Sequence, residues 1–306
     1  MVRIAIVGAG GVGGYFGGRL AAAGTDVAFL ARGAHLAALQ DDGLYIDSPN
    51  GNLHVSSATA TDDPQRIGPV DLVFFAVKLY DTDDALRLLP PLIGPRTLVI
   101  PFQNGVESVE ALTRALGADH VAGGTAYVAA VVSEPGRIRH TAMGRLVFGS
   151  LNGATPDVLV ELRDTCLRAG LEAVLSESVQ VDIWSKFVRL TAFSGMTALT
   201  RCPIGPIRED PALRAMLDTA VTESIAVARA SGVSLPATLF DEIQAATDAL
   251  PAIARSSMLE DLERGRRLEL PWLSGAVVRI GNELGVNVPT HQMILTLLRP
   301  HVHGKQ

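Results

Sequence analysis

An α/β half followed by an all-α half is the architecture that this 306-residue sequence predicts. Three observations carry that expectation. The first thirty residues pass through strand, glycine turn, helix and strand; strand-like apolar runs recur to Leu175; and from Val179 onward almost only helical patterns follow. The composition agrees: with 48% apolar and 19% charged residues the chain is not disordered, and a chain of this length buries a large core and usually divides in two.

Each element has its own reason. Arg3–Val7 is a β-branched run and reads as a buried strand, followed at once by Gly8-Ala9-Gly10-Gly11-Val12-Gly13. Tyr15–Ala23 has helical composition and stops at Gly24, and Val27–Leu30 is a second apolar run, so the unit is βαβ. Leu44–Ile46 and Leu53–Val55 flank an Asn50-Gly51 turn and read as a hairpin. Asp71–Val77 is a strongly apolar strand, Asp83–Leu89 a short helix, Thr97–Ile100 a strand and Val106–Leu116 a helix. Val121–Val132 and Arg145–Phe148 are strands about a Glu134-Pro135-Gly136 turn, Asp157–Ala169 an amphipathic helix, and Leu171–Leu175 a last strand. Six helices follow, over Val179–Leu199, Pro211–Ala230, Pro236–Ala249, Ser256–Arg264, Trp272–Leu284 and Thr290–Leu298. The expected division is therefore a nucleotide-binding domain over 1–176 and a helical domain over 177–306.

Charge and composition exclude several functions. Lys plus Arg is 26 against 32 Asp plus Glu, a net charge of −6, which argues against a nucleic-acid partner. Two cysteines, Cys166 and Cys202, are too few for a disulfide scaffold and suit a reducing cytoplasm. No stretch reaches the ~18 apolar residues that span a bilayer. Arg3 precedes fifteen uncharged residues, but their glycine content reads as strand and loop, not as a signal peptide. The histidines form no HExxH pattern, so no metal is expected. The long helices after Pro211 could build a homodimer interface.

The glycine run sits where its chemistry requires it, directly after a strand and opening a helix. Gly8 allows the tight turn, Gly10 lets the backbone approach a pyrophosphate, and Gly13 lets the helix pack on the strand. The helix N-terminus then presents free amides to an anion. This is a Rossmann-type dinucleotide loop; the alternative is a glycine-rich turn without a ligand. An NAD site usually places an acid at the end of the second strand, on the ribose 2′-hydroxyl. Here that stretch is Phe29-Leu30-Ala31-Arg32-Gly33, and Asp26 lies at the wrong end of the strand. Arg32 is instead placed to meet a 2′-phosphate, so NADPH is expected over NADH, unless Arg32 is only a solvated surface residue.

Only three of the 26 cations are lysine: Lys78, Lys186 and Lys305. Arginine cannot release a proton at neutral pH, whereas a partly buried lysine can be tuned to do so. On the helix expected over Val179–Leu199, Lys186 shares an apolar stripe with Val179, Ile183, Leu190 and Phe193. Its amine either snorkels to the surface or is held for chemistry. Lys78 and Asn104 each follow a strand, at the carboxyl edge where open α/β sheets bind ligands. Glu269, between Leu268 and Leu270, is either a helix N-terminal charge or a partner for Lys186. Ser256 and Ser257 either cap a helix or offer hydroxyls to a carboxylate ligand.

Several separated motifs together resemble the ketopantoate reductase family (2-dehydropantoate 2-reductases) over nearly the whole chain. They are the N-terminal GxGxxG, Arg32, Val77-Lys78, Gln103-Asn104-Gly105, Trp184-Ser185-Lys186, Arg255-Ser256-Ser257-Met258-Leu259-Glu260-Asp261 and Leu268-Glu269-Leu270. The resemblance implies a Rossmann domain followed by a helical domain, with a 2-oxo acid in the cleft and NADPH as hydride donor to its C2. It implies Lys186 as general acid and Glu269 as the carboxylate that binds a substrate hydroxyl. Asn104 and Lys78 match residues facing nicotinamide and substrate, and Ser257 matches a hydroxyl near the substrate carboxylate. Three positions depart from the family pattern: Leu190 and Ser194 stand where asparagines are usual, and Ala254 where an asparagine precedes the paired serines. These are substrate-side groups, so the reaction class carries over further than the substrate. The competing readings are a reductase of another 2-oxo acid, a β-hydroxyacid or opine-type dehydrogenase on the same fold, and a nucleotide sensor without turnover.

Overall fold

The computed structural model describes residues 2–305. The chain forms two compact units, one of Met1–Gln103 and Glu107–Asp182, the other of Asn104–Val106 and Ile183–Gln306. In chain order the first unit carries β1 (Arg3–Val7), α1 (Gly11–Ala22), β2 (Asp26–Leu30), α2 (Gly33–Asp41), β3 (Leu44–Asp47), β4 (Leu53–Val55) and β5 (Thr59–Thr61). It continues with β6 (Val70–Phe75), α3 (Thr82–Leu86), β7 (Ile93–Pro101), α4 (Ser108–Leu116), β8 (Gly123–Glu134), β9 (Arg137–Gly149), α5 (Asp157–Arg168) and β10 (Glu172–Leu175).

Five strands form a parallel sheet in the order β5-β2-β1-β6-β7. Alternation along β1 shows why its sequence is apolar throughout. Ile4 and Ile6 enter one core with Phe16 and Leu20 of α1, while Ala5 and Val7 enter the other with Leu89 and Leu112. A strand covered on both faces has no solvent side to mark with polar residues. Asp26, at the N-terminal end of β2, pairs with Arg3 at 3.3 Å, far along the strand from the loop.

The other strands form a second, mixed sheet, β10-β9-β3-β4, with β8 paired antiparallel to β9. The sequence signals the strands but not this separation. The Glu134-Pro135-Gly136 turn joins β8 directly to β9, and a direct turn allows only antiparallel pairing, whereas each neighbour in the first sheet needs a crossover. The expected hairpin is β3 with β4, and Gly51 closes its turn at φ +97°. Strands β7 and β9 run several residues longer than their apolar centres at Thr97–Ile100 and Arg145–Phe148. Helix α2 was not expected, because it buries only Leu36 and Leu39 and leaves a thin apolar signal.

The second unit is helical: α6 (Val179–Thr200, from Ile183 on), α7 (Ile204–Glu209), α8 (Pro211–Ala230), α9 (Leu239–Asp248), α10 (Ser257–Glu263), α11 (Ser274–Leu284) and α12 (Pro289–Leu298). Asp210 starts α8 by accepting from the amides of Ala212 and Leu213, with Pro211 at the first helical position. Buried Glu223 serves α12 in the same way, accepting from Thr290 N and His291 N at 2.9 and 3.0 Å. The His291 ring, fully buried, meets the hydroxyls of Ser224 and Ser274 and the Ala220 carbonyl. Burial holds its pKa below the usual histidine value, so it stays neutral within this network. No helix among the described residues is long and apolar enough to cross a membrane.

Candidate active site

In the first unit the glycine loop joins β1 to α1. Gly8 adopts φ +100°, and a Cβ there would lie 2.7 Å from Val77 N, so only glycine fits the turn. A Cβ on Gly13 would lie 2.2 Å from Gly8 O and 2.7 Å from Ile6 Cγ2, the close helix–strand approach expected of that position. Gly11 meets the Ala130 carbonyl in the same manner, and Val12 packs on the core. Gly10 differs: a Cβ there would meet nothing within 4 Å. The first turn of α1 contains no acidic residue, and Gly10 caps it without a side chain. A pyrophosphate therefore fits this loop: open space lies before Gly10, and the helix amides carry no competing carboxylate.

The side chain of His35, in the first turn of α2, steadies the loop. Its Nε2 lies 2.8 Å from the Ala9 carbonyl, and Gly136 N donates to its Nδ1 at 3.1 Å. Burial lowers its pKa, which keeps Nδ1 free to accept. Arg32 lies just past β2, largely exposed, and its Nη2 meets Asp81 Oδ2 at 3.2 Å. Lys78 follows β6 and is exposed. Gln103, at the end of β7, donates to Val77 O and Thr82 Oγ1 at 3.0 Å.

In the second unit three of the expected residues stand together. Lys186 Nζ donates to Asn104 Oδ1 at 3.1 Å, and Asn104 Nδ2 donates to Glu269 Oε2 at 3.5 Å. The two amide ends make Asn104 a bridge: its oxygen faces the ammonium and its nitrogen the carboxylate. The side of α6 carrying Lys186, Leu190 and Phe193 is half-buried, whereas Phe187, Val188, Thr191 and Ala192 are fully buried. The amine is thus held by a partner within the unit rather than snorkelling. Glu269 is buried at the start of a single 3-10 turn but accepts no capping bond from it, so its carboxylate serves the cluster instead.

Electrostatics set the acidity of the lysine. Burial lowers the pKa of Lys186 to about 8, Arg189 one helical turn away lowers it too, and Glu269 opposes both. An amine of this pKa is mostly protonated at neutral pH and still gives its proton up readily. Because the acid form is the ammonium, kcat/KM of a reduction that uses it falls as pH rises through the lysine's pKa. Glu269→Gln moves that alkaline limb to lower pH, and Arg189→Gln moves it to higher pH, both read from kcat/KM profiles.

The remaining expected residues lie apart from these bonds. Ser194 is fully buried, and its Oγ, like Thr191 Oγ1, has no partner among the described residues. Thr197, Thr219, Thr222 and Thr247 all bond the carbonyl four residues back, a bond that Ser194 and Thr191 lack. Ser256 caps α10 through Leu259 N and meets Thr197 Oγ1 at 2.7 Å. Ser257 opens α10 and is exposed. Ala254 O accepts from Ile204 N, so its position contributes backbone bonding alone. Sequence reasoning missed His35, Asp81 and Arg189. The last was legible as a cation at i+3 from Lys186, and Asp81 as an acid three residues beyond Lys78. Among the described residues no three His, Cys, Asp or Glu side chains stand close enough to hold a metal ion. Burial pushes the Cys166 thiol up to about 12, which makes it inert.

Comparison with known proteins gives a consistent picture over the whole length. The family model described as ketopantoate reductase PanE/ApbA matches residues 4–153, and that of its C-terminal domain matches residues 178–302. The chain is 32% identical to a 2-dehydropantoate 2-reductase of Mesorhizobium japonicum, over 97% of each protein. It is also 32% identical to an uncharacterized oxidoreductase, YkpB, of Bacillus subtilis, over 97% of this chain and 98% of that one. A crystal structure of 2-dehydropantoate 2-reductase from Geobacter metallireducens superposes with a TM-score of 0.91 at 31% identity, covering 98% of this chain and 99% of that one.

Proposed function

The chain belongs to the ketopantoate reductase family, oxidoreductases acting on a CH–OH group, and from that premise we propose that it reduces a 2-oxo acid to the 2-hydroxy acid with NADPH, ketopantoate being the first substrate to try. The observation that carries this reading is the cluster Lys186–Asn104–Glu269. It is what a carbonyl reduction asks of a protein: a proton donor of lowered pKa, fixed in direction, beside a carboxylate that sustains its charge.

Bound at the glycine loop, NADPH supplies the hydride for C2. The protein's own part is proton delivery and charge stabilisation. The Lys186 ammonium donates a hydrogen bond to the C2 carbonyl oxygen, stabilises negative charge as it develops there, and passes its proton to that oxygen. Asn104 holds Nζ in position through its Oδ1. Glu269 raises the proton affinity of the neutral amine, which favours recovery of a proton from solvent, and binds a hydroxyl of the substrate. Ser194 and Ser257 supply further hydroxyls to the substrate, and Lys78 and Asn104 face the nicotinamide end of the cofactor. In this division residues 1–176 bind the cofactor and 177–306 carry the proton donor.

The choice of NADPH rests on Arg32, a planar cation at the end of β2 where an NAD site has an acid. Arg32→Ala raises the KM for NADPH about tenfold or more and leaves that for NADH near its starting value, as the loss of charge-assisted hydrogen bonds predicts. Steady-state kinetics with both cofactors measure this, and a wild-type preference for NADH would overturn the assignment.

Leu190, Ser194 and Ala254 favour a substrate that differs from ketopantoate in its side chain. A half-buried leucine one turn beyond the lysine offers an apolar contact and no hydrogen bond. Initial rates with ketopantoate beside 2-oxo acids bearing apolar side chains test this. A higher kcat/KM for the apolar analogues identifies this enzyme as a reductase of another 2-oxo acid.

A further inference from the structure

Asp81 lies at the foot of α3, in the N-cap position, yet its side chain makes no capping hydrogen bond. Its carboxylate instead reaches the end of β2 and meets Arg32 Nη2 at 3.2 Å. A carboxylate thus does stand beside the end of β2, supplied from the segment after β6 rather than from β2 itself. We propose that Asp81 is a cofactor-specificity residue, competing with a 2′-phosphate for Arg32 and so weakening NADPH relative to NADH. The inference rests on the NADPH reading above and refines it.

The physical argument is one of charge. A phosphate monoester at neutral pH carries about −1.5 to −2. Drawn to Arg32, it must take the guanidinium from Asp81 or share it, and in either arrangement the carboxylate stands within a few ångströms of a like charge. A ribose 2′-hydroxyl carries no charge and can donate to the same carboxylate. Asp81 therefore disfavours the phosphate and tolerates the hydroxyl. The Arg32 side chain is 78% exposed and that of Asp81 28%, so water screens the pair and the effect is graded rather than absolute.

Asp81→Asn keeps the shape and removes the charge, and with no capping bond to lose it leaves α3 intact. Calorimetric titration with adenosine 2′,5′-bisphosphate and with adenosine 5′-monophosphate isolates the 2′-phosphate, since neither probe contains nicotinamide. Asp81→Asn is expected to bind the bisphosphate about five- to tenfold more tightly, with the monophosphate unchanged or weaker. Arg32→Ala is expected to lose the preference for the bisphosphate. If Arg32→Ala loses that preference and Asp81→Asn gains nothing, the role of Asp81 is overturned and the NADPH reading stands. If the wild type binds both probes equally and Arg32→Ala changes neither, the NADPH reading falls and the role of Asp81 falls with it.

Discussion

Replacing Lys186 with alanine lowers kcat by about 10³–10⁴-fold while NADPH affinity stays within about twofold. The expected loss combines two contributions of one group: proton transfer to the carbonyl oxygen, and stabilisation of the charge that develops there. The affinity is spared because the contacts proposed for the pyrophosphate and the 2′-phosphate, the glycine loop and Arg32, are in the first unit, whereas Lys186 is in the second, beside only one nicotinamide-facing residue, Asn104. Lys186→Arg separates the two contributions. It restores a cation but not a releasable proton, so a general acid stays largely unrescued and a purely electrostatic role regains most of its rate. Near-normal turnover in Lys186→Ala would remove the lysine from the mechanism.

Gly13→Val is expected to destabilise the protein by about 3 kcal/mol or more, a fall in Tm of about 6–12 °C, and to abolish measurable NADPH binding. The cause is local. The new Cβ would stand 2.2 Å from the Gly8 carbonyl and 2.7 Å from Ile6, so α1 must move off β1 and take its N-terminal amides with it. Gly10→Ala makes the contrasting case. Its φ of −72° suits any residue and its Cβ meets nothing, so Tm stays near the wild-type value. The methyl occupies the space before the loop, and NADPH binding weakens by at least tenfold as the backbone amides lose their approach to the pyrophosphate. Thermal melts and cofactor titrations on the two variants distinguish a glycine needed by the fold from one needed by the ligand. Equal stability of Gly13→Val and wild type would contradict the packing argument.

Four strands of the parallel sheet were legible because they are covered on both faces and the glycine turn has a strict place between strand and helix; the three-residue edge strand β5, with only Thr61 buried, was not. The helix expected over Pro211–Ala230 is α8 to the residue, because its start is fixed within one turn, by Pro211 and the Asp210 cap. Partition into two sheets was not legible: β3 and β10 are short, and their pairing with β9 is a long-range choice that no local pattern states. In the site, composition did much of the work. A lysine in an arginine-rich chain pointed to Lys186, a carboxylate between two leucines offered Glu269 as its partner, and Asn104 stood at the carboxyl edge of a strand; the resemblance added their roles. None of these signals revealed that Asn104 bridges the other two, because residues 82 and 165 positions apart meet only in the fold. Asp81 escaped notice for a different reason. The acid near a 2′-position is sought at the end of β2, and here it arrives from the segment after β6.

The central claim is that this chain turns over a 2-oxo acid with NADPH. The most direct measurement is NADPH oxidation by the purified wild-type protein with ketopantoate and a panel of 2-oxo acids, with the product identified. The expected result is stoichiometric oxidation with at least one of these acids and formation of its 2-hydroxy acid. Tight NADPH binding without oxidation across the panel would contradict the claim and leave a protein that binds the nucleotide without using it.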